Sequence, residues 1–279
     1  MLDFDPIDLT ELELYASLLT RTDRKYIVST AVLDELLRAL SGSARVLEIG
    51  GSRKFRYESV YFDTPELLTY FDAARSRPRR FKVRTRTYRD SGLCSLEVKV
   101  RDHRGNTVKH RLAYKKSDRH TLTDEARAFL HDIIGPQYDE SDFRQTLVTR
   151  YTRTTLVLGD KASRVTIDSD LQCHDETYEG VSIKDNVLIE TKSIHGPTQA
   201  DRLLWSAHSR PVRVSKYSTS LAALRPELPS NKWNVALQNY FERVEVELLN
   251  ETIDLRGQRQ ALRQLVPKLV QRVPFTKLL

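Results

Sequence analysis

Polar and apolar residues alternate along many short stretches between about residue 20 and residue 217. From Phe81 to Thr87, for example, Lys82, Arg84 and Arg86 alternate with apolar or neutral side chains. Because successive side chains of a strand point to opposite faces, this alternation predicts β-strands. The predicted strands cover residues 23–28, 57–63, 80–88, 94–101, 106–114, 147–158, 163–170, 186–194 and 212–217.

Other stretches carry apolar residues at the spacing of one helix face. They predict helices over residues 6–19, 30–40, 63–72 and 121–134. Thr121 or Thr123 is suited to cap the last of these helices, and Gly135-Pro136 is suited to end it. From about Pro226 the pattern becomes helical again and predicts helices over residues 237–249 and 262–270.

The order of the predicted elements indicates how the chain is organised. Many strands with few long helices between them favour an α+β fold around an antiparallel barrel or sandwich over a doubly wound sheet. Residues 1–225 are expected to form the main domain, and residues 226–279 a C-terminal helical extension packed on or beside it. About 50 residues are few for an independent hydrophobic core, so the extension is not expected to be a separate domain.

The charge of the chain narrows the class of partner. Its 279 residues carry a formal net charge of +7, which favours an anionic partner. This value does not choose between nucleic acid, nucleotide, polyphosphate and a membrane surface. The N-terminus lacks the basic-then-apolar pattern of a signal peptide, and no window approaches about 18 uninterrupted apolar residues. We therefore expect a cytoplasmic protein without a membrane span of its own.

Cations share one face in most of the predicted strands. The polar faces carry Lys82, Arg84 and Arg86; Glu97, Lys99 and Arg101; Thr107, Lys109 and Arg111; Tyr151 and Arg153; Arg164, Thr166 and Asp168; and Glu190 and Lys192. For any single strand, a charged face turned to solvent over a sandwich core accounts for the pattern. Across many strands, neighbouring like charges repel each other unless an anion lies among them. Arg is also preferred over Lys here, and Arg binds phosphate in a bidentate way.

A sheet that closes with its charged faces inward forms a tunnel lined by cations. The amphipathic helices then cover its apolar outside, and Glu97, Asp168 and Glu190 lie among the cations. Carboxylate oxygens beside phosphate-binding cations suggest a bound Mg²⁺ or Mn²⁺ that bridges carboxylate and phosphate. The sequence therefore predicts a closed antiparallel β-barrel with surrounding helices.

Eight short motifs follow one another between residues 20 and 225. They are Arg24-Lys25-Tyr26, Ser59 to Thr64, Lys82 to Tyr88, Leu96 to Lys99, Arg150 to Arg153, Arg164 to Asp168, Leu188 to Lys192 and Val214 to Tyr217. In this order they resemble the triphosphate tunnel metalloenzyme (CYTH-like) superfamily. Within it they resemble the polyphosphate polymerase branch, the domain of the vacuolar transporter chaperone (VTC) type. A single motif of this kind is weak evidence for the superfamily, whereas eight motifs in the right order are strong evidence for it.

The resemblance implies roles for named residues. The catalytic phosphate-binding cations of the tunnel would be Lys25, Arg84, Arg86, Lys99, Arg153, Arg164 and Lys216. Further substrate-binding cations would be Lys82, Lys109, Arg111 and Lys192. Glu190 matches the metal-ligand glutamate. Glu97 and Asp168 are further candidate ligands, although an inward carboxylate can equally serve to orient an arginine.

Departures from the wider superfamily refine this picture. The Glu-x-Glu-x-Lys motif of the CYTH branch is absent, and Asp23-Arg24-Lys25 stands in its place. This difference weakens the adenylate cyclase and thiamine triphosphatase alternatives and agrees with the polymerase branch. The first tunnel strand is predicted near residue 23, which leaves no room upstream for the regulatory SPX domain of eukaryotic relatives. Any translocation of a product would need a membrane-protein partner.

Three functions remain open at this stage. The first is a polyphosphate polymerase that uses ATP, Mn²⁺ or Mg²⁺, and orthophosphate or a growing chain as acceptor. The second keeps the same site with water as acceptor, as in an inorganic triphosphatase or polyphosphatase. The third is a non-catalytic module that binds polyphosphate or nucleic acid. The inward carboxylates argue against a purely anion-binding module. Nucleic acid is not expected, because neither a stacking platform nor a basic surface helix is evident.

Overall fold

Twelve strands form one sheet in the computed structural model, which describes residues 4–16, 22–102, 106–160, 162–176, 179–194 and 196–245. The strands are β1 (Asp5–Ile7), β2 (Thr22–Ser29), β3 (Ala44–Leu47), β4 (Phe55–Asp63), β5 (Arg80–Tyr88), β6 (Leu93–Arg101), β7 (Thr107–Tyr114), β8 (Arg144–Leu158), β9 (Arg164–His174), β10 (Glu179–Ser182), β11 (Asn186–Ser193) and β12 (Glu242–Glu245). The pairing is antiparallel throughout, except that β1 runs parallel to β3.

The longer strands form a row in the order β7-β6-β5-β4-β8-β9-β11-β2. Strands β2 and β7 lie at the two ends of this row, and no backbone hydrogen bonds pair them in the described part of the chain. The α+β class and the large antiparallel sheet are therefore confirmed, whereas the predicted closed barrel is not. The strands predicted over residues 23–28, 57–63, 80–88, 94–101, 106–114, 147–158, 163–170 and 186–194 all correspond to strands of the row.

Seven α-helices belong to the described residues. They are α1 (Leu9–Ala16), α2 (Thr30–Leu40), α3 (Leu68–Ala74), α4 (Asp124–Ile134), α5 (Gln199–Ser206), α6 (Lys216–Leu224) and α7 (Asn234–Tyr240). Polar side chains cap several of them, as expected for free N–H groups at helix starts. Thr123 caps α4, which ends before Gly135 at a φ of 88°. Only glycine adopts such a φ readily.

The strand predicted over residues 212–217 is wrong. Val212 donates one backbone hydrogen bond to the carbonyl of Lys25, but Lys216 already belongs to α6. The reason is local: the hydroxyl of Ser215 accepts from the N–H of Ser218 at 3.2 Å, which starts a helix. Helix α5 was not predicted either, although Thr198 and Asp201 form a capping box at its start.

The predicted helix over residues 237–249 is confirmed for residues 237–240 and wrong for residues 242–245. Helix α7 ends at Tyr240, and Glu242–Glu245 form β12, which pairs with β10. The edge of β10 has free backbone hydrogen-bonding groups, and β12 pairs with them. The helical spacing of the apolar residues around Val244 gives no sign of this pairing. The last predicted helix, 262–270, and most of the proposed extension lie outside the described residues. At the other end, residues 5–7 form β1, so the first helix begins only at Leu9.

Apolar side chains on the outer face of the sheet pack under the helices. Tyr26 and Val28 of β2 join Ile189 of β11 beneath α2 and α5. Val83 of β5 and Val98 of β6 lie beneath α4. This burial leaves the charged alternate residues of the same strands on the opposite face. No helix among the residues that the structure describes is long and apolar enough to cross a membrane.

Candidate functional site

The sheet curves strongly around its charged face. Lys25 of β2 donates from Nζ to the carbonyl of Val214 at 3.2 Å, and Lys82 of β5 donates from Nζ to Oγ of Ser215 at 2.7 Å. The adjacent residues Val214 and Ser215 thus contact β2 and β5, which are five positions apart in the row of strands. A flat sheet would separate those strands by about 24 Å. Lys216, the next residue, pairs with Asp168 of β9, so the start of α6 lies inside the curve.

This concave face collects the predicted cations. In the described strands and at the start of α6 it carries Lys25, Lys82, Arg84, Arg86, Lys99, Lys109, Arg111, Arg153, Arg164, Lys192 and Lys216. The strand register explains the set, because Lys82 lies opposite Lys99, and Lys99 lies opposite Lys109. We call these eleven residues the lumenal cations. Their roles in substrate binding and catalysis stay predictions.

Glu97 organises one group of lumenal cations. Its Oε2 accepts from Nε and Nη2 of Arg84 at 2.9 and 2.6 Å, and its Oε1 accepts from Nε of Arg111 at 3.1 Å. Lys109 Nζ and Arg86 Nη1 lie 3.5 and 3.9 Å from the carboxylate. Burial opposes its ionisation, but the surrounding cations hold the pKa of Glu97 well below its usual range. Glu97 is therefore a charged residue that orients arginines.

Asp168 organises a second group. Arg153 donates to both of its oxygens, from Nε at 2.6 Å and from Nη2 at 2.8 Å. Lys216 donates to Oδ2 of the same carboxylate. Burial raises the pKa of Asp168, but Arg153 and Lys216 outweigh burial and lower it. This carboxylate connects a strand cation to a helix cation and so fixes the start of α6 against the sheet.

Glu190 lies in the most open position of the three carboxylates. Lys192, two residues later on the same face of β11, forms an ion pair with Glu190. The Glu190 side chain keeps 19% of its surface exposed, against 2% for Glu97 and Asp168. Burial works against the charge, yet Lys192 and Lys25 hold the pKa of Glu190 well below its usual range. Glu190 is thus an ionised oxygen donor that a ligand can reach.

The carboxylates of the concave face are the candidate ligands for the Mg²⁺ or Mn²⁺ that the family resemblance implies. Among the described residues, no group of three or more Asp, Glu, His or Cys side chains converges on one point. Mg²⁺ commonly uses one or two carboxylates and takes its other ligands from substrate phosphate and water. Glu190 fits that arrangement. Glu97 and Asp168, predicted as further metal ligands, are enclosed by their cation partners, and their role as ligands stays a prediction.

Burial changes the ionisation of the lumenal lysines. It lowers the pKa of Lys82 well below the usual value, and the nearby charges of Lys25 and Lys99 lower it further. Burial likewise lowers the pKa of Lys109 to about 7 and that of Lys192 to about 8, although Glu97 and Glu190 oppose the change. An anion bound among these lysines would favour their charged forms, because it would offset both their mutual repulsion and their lost hydration.

Arg86 has hydrogen-bonding capacity to spare. It is 8% exposed, and its Nε is buried without a hydrogen-bond partner among the residues the structure describes. Its Nη2 donates to the hydroxyl of Tyr151 at 3.3 Å. Buried N–H groups normally donate a hydrogen bond. The Nε–H of Arg86 therefore points to a bound acceptor such as a phosphate oxygen.

Sequence reasoning missed several residues on this face. Tyr57 stacks on Tyr151 at a ring distance of 5.3 Å, and the Tyr61 hydroxyl accepts from Arg84 at 3.1 Å. Asp23 lies opposite Lys192 across the β2–β11 pair, and its charge opposes the lowering of the Lys192 pKa. Ser215 contacts Lys82 but precedes a helix that was not predicted. Tyr57 and Tyr61 are alternate residues of β4 and therefore lie on the same, inward face. This alternation could have predicted their position from the sequence.

A known protein family matches most of the chain. The family model for the VTC domain matches residues 20–225. The chain belongs to the VTC-domain family. This membership supports a chemistry that involves triphosphate or polyphosphate, and it agrees with the family expected from the eight motifs.

Two solved structures have a limited similarity to this chain. The putative adenylyl cyclase HpAC1 from Hippeastrum, described as having a dominant triphosphatase activity, is 14% identical over 72% of the VTC-family chain and 94% of its own, with a TM-score of 0.46. The PH1012 protein from Pyrococcus horikoshii OT3 is 15% identical over 67% of this chain and 87% of its own, with a TM-score of 0.35. No curated protein matches the chain in sequence.

Proposed function

We propose that this VTC-family protein synthesises polyphosphate by transferring the γ-phosphoryl group of ATP to orthophosphate or to the end of a growing chain. The observation that carries the proposal is the row of lumenal cations along a curved sheet, with an accessible carboxylate, Glu190, among them. A linear chain of phosphates matches such a row, because each phosphate in turn meets an Arg or Lys. The resemblance of the eight motifs to the polyphosphate polymerase branch supports a phosphate acceptor over water.

The cations would neutralise the phosphate oxygens and hold the donor and acceptor in line. Arg84, Arg86 and Arg153 are prepared for this role, because Glu97, Tyr151 and Asp168 fix their guanidinium groups. Phosphoryl transfer depends mainly on such positioning and charge stabilisation. The side chains bind phosphate oxygens and exclude water, and no protein nucleophile is needed.

The bond changes balance without a protein base. An ionised terminal oxygen of the acceptor forms a new bond to the γ-phosphorus, and the bond from that phosphorus to the β–γ bridging oxygen breaks. ADP leaves with the bonding electron pair. Glu190 would hold Mn²⁺ or Mg²⁺, which when bound neutralises charge on the transferring phosphate. Lys192 keeps Glu190 in place on the same strand face.

Product analysis tests this proposal. Purified protein is incubated with ATP labelled at the γ-phosphate and with Mn²⁺, and the labelled products are separated by gel electrophoresis. We expect a ladder of polyphosphate chains and an equivalent amount of ADP. Release of all label as orthophosphate would identify water as the acceptor and replace the polymerase by a triphosphatase. A Glu190→Gln sample run in parallel shows whether the products come from this site.

A further inference from the structure

Beyond the lumenal cations, a second group of basic residues surrounds one end of the concave face. Arg80 and Arg101 lie directly opposite each other at the ends of β5 and β6. Lys232 donates from Nζ to the carbonyl of Ala73 at 2.6 Å, and Arg213 precedes Val214, which contacts Lys25. We call Arg80, Arg101, Arg213 and Lys232 the basic collar.

The collar adjoins the lumenal cations directly. Arg80 and Lys82 are separated by one residue on the same face of β5, a distance of about 7 Å along the strand. Burial, Lys25 and Lys99 lower the pKa of Lys82, and so do the charges of Lys232 and Arg80. Residues of the basic collar and lumenal cations thus both lower the pKa of Lys82. A continuous path of cations leads from the lumen to the surface.

The collar has more positive charge than its surroundings neutralise. Burial and the charges of Arg80, Arg213 and Arg101 together lower the pKa of Lys232. Asp72 offsets part of the charge of Arg80. Like charges directly opposite each other on paired strands destabilise a sheet. Arg101 and Arg213 are exposed and available to a ligand in solution.

From this continuity we infer that the basic collar binds the part of a polyphosphate chain that extends beyond the lumenal cations. The inference rests on the proposed function and adds to it the class of ligand: a linear polyphosphate too long for the lumen alone. Such a ligand occupies both cation groups at once, whereas tripolyphosphate occupies only the lumen. Binding through two linked sites strengthens affinity beyond that of either site.

The test compares a short and a long ligand. The variant Arg101→Gln/Arg213→Gln removes two exposed collar charges, and Arg38→Gln/Arg202→Gln removes two exposed charges from α2 and α5 as a matched control. Calorimetry measures the Kd of tripolyphosphate and of a long-chain polyphosphate of narrow size distribution. We expect the collar variant to weaken long-chain binding about fivefold, with a smaller salt dependence. Tripolyphosphate binding should stay within about twofold of the wild type.

Each other result has a definite meaning. Equal losses for both ligands, or no loss for either, would overturn the collar inference while leaving the proposed function intact. An equal loss for single-stranded DNA of similar charge would show a general polyanion surface and also overturn it. Failure of the wild-type protein to bind tripolyphosphate would contradict the proposed function itself. The control variant should match the wild type with every ligand.

Discussion

Nε and Nη2 of Arg153 lie 2.6 and 2.8 Å from the two oxygens of Asp168, a bidentate pair buried between β8 and β9. Lys216 shares the carboxylate, so one negative charge serves two cations. The pair explains how a face rich in cations remains folded without an anion. It also leaves the donors of Lys216 and the outer N–H groups of Arg153 close to any phosphate that enters the curve.

Replacing Asp168 tests this internal neutralisation. Asp168→Asn should lower the free energy of unfolding by about 3 kcal/mol, because two buried cations lose their counter-charge. The pKa of Asp168 is lowered on folding, so its contribution is present above about pH 4 and is lost as the pH falls toward the lowered value. Tripolyphosphate should restore more stability to the variant than to the wild type.

Urea denaturation with and without tripolyphosphate measures both effects. Asp185→Asn, an exposed aspartate in the turn before β11, is the matched control and should change neither value. A variant as stable as the wild type in phosphate-free buffer would show that Asp168 does not balance these cations.

Glu190 is the carboxylate expected to hold the metal. Glu190→Gln keeps size and hydrogen bonding but removes the charge, so metal-dependent turnover should fall by a factor of about 100 or more. Tripolyphosphate binding without metal should persist or tighten, because a negative charge has left the cationic face. Steady-state kinetics over a range of Mn²⁺ concentrations, together with calorimetry, separates the two effects. Unchanged metal-dependent turnover would remove Glu190 from the site.

The lowered pKa of Lys192 predicts a pH effect on binding. Burial brings this pKa to about 8, so the ammonium group is mostly charged at pH 7 and mostly neutral at pH 9. Lys192→Arg keeps the charge at both values. Relative to this variant, the wild type should lose about fivefold in tripolyphosphate affinity between pH 7 and pH 9. The comparison at equal pH cancels the titration of the ligand. Parallel pH profiles for the two proteins would contradict a titrating Lys192 in the site.

Arg86 supplies the clearest unused donor. Removing it with Arg86→Gln should weaken tripolyphosphate binding at least about tenfold, the usual cost of losing a charged hydrogen bond to a ligand. Arg150→Gln is the matched control, because Arg150 lies on the outer face of the sheet, where it pairs with Glu58 at 2.8 Å. Calorimetry at low salt gives both affinities. Similar small losses for Arg86→Gln and Arg150→Gln would mean that binding depends only on net charge.

The strand faces were predictable because their pattern is local. Alternation in β5 and β6 assigned Arg84 and Glu97 to one face and Val83 and Val98 to the other, and the structure has this arrangement. The pairing of Arg84 with Glu97 follows from register, which the alternation restricts but does not specify. In the same way, the alternation assigned Arg153 and Asp168 to the charged face, but it did not specify that they pair.

What the sequence did not reveal depends on tertiary contacts. Helix α6 begins where a strand was predicted, since Ser215 caps the helix and Lys216 pairs with distant Asp168. Strand β12 forms on the edge of β10, a partner about sixty positions away that no local pattern indicates. Barrel closure was inferred from the charged strand faces and from the family resemblance, and neither specifies which strands pair. The described sheet curves far enough for Lys25 and Lys82 to reach neighbouring residues, without hydrogen bonds between β2 and β7.

The most direct measurement of the central claim is a crystal structure of the protein with tripolyphosphate and Mn²⁺. We predict electron density for the phosphate chain on the concave face, with oxygens within hydrogen-bond distance of Arg84, Arg86 and Lys216. The Mn²⁺ should lie between Glu190 and the phosphate oxygens. Phosphate density confined to the outer surface, with the lumenal cations still paired only to Glu97 and Asp168, would contradict the account.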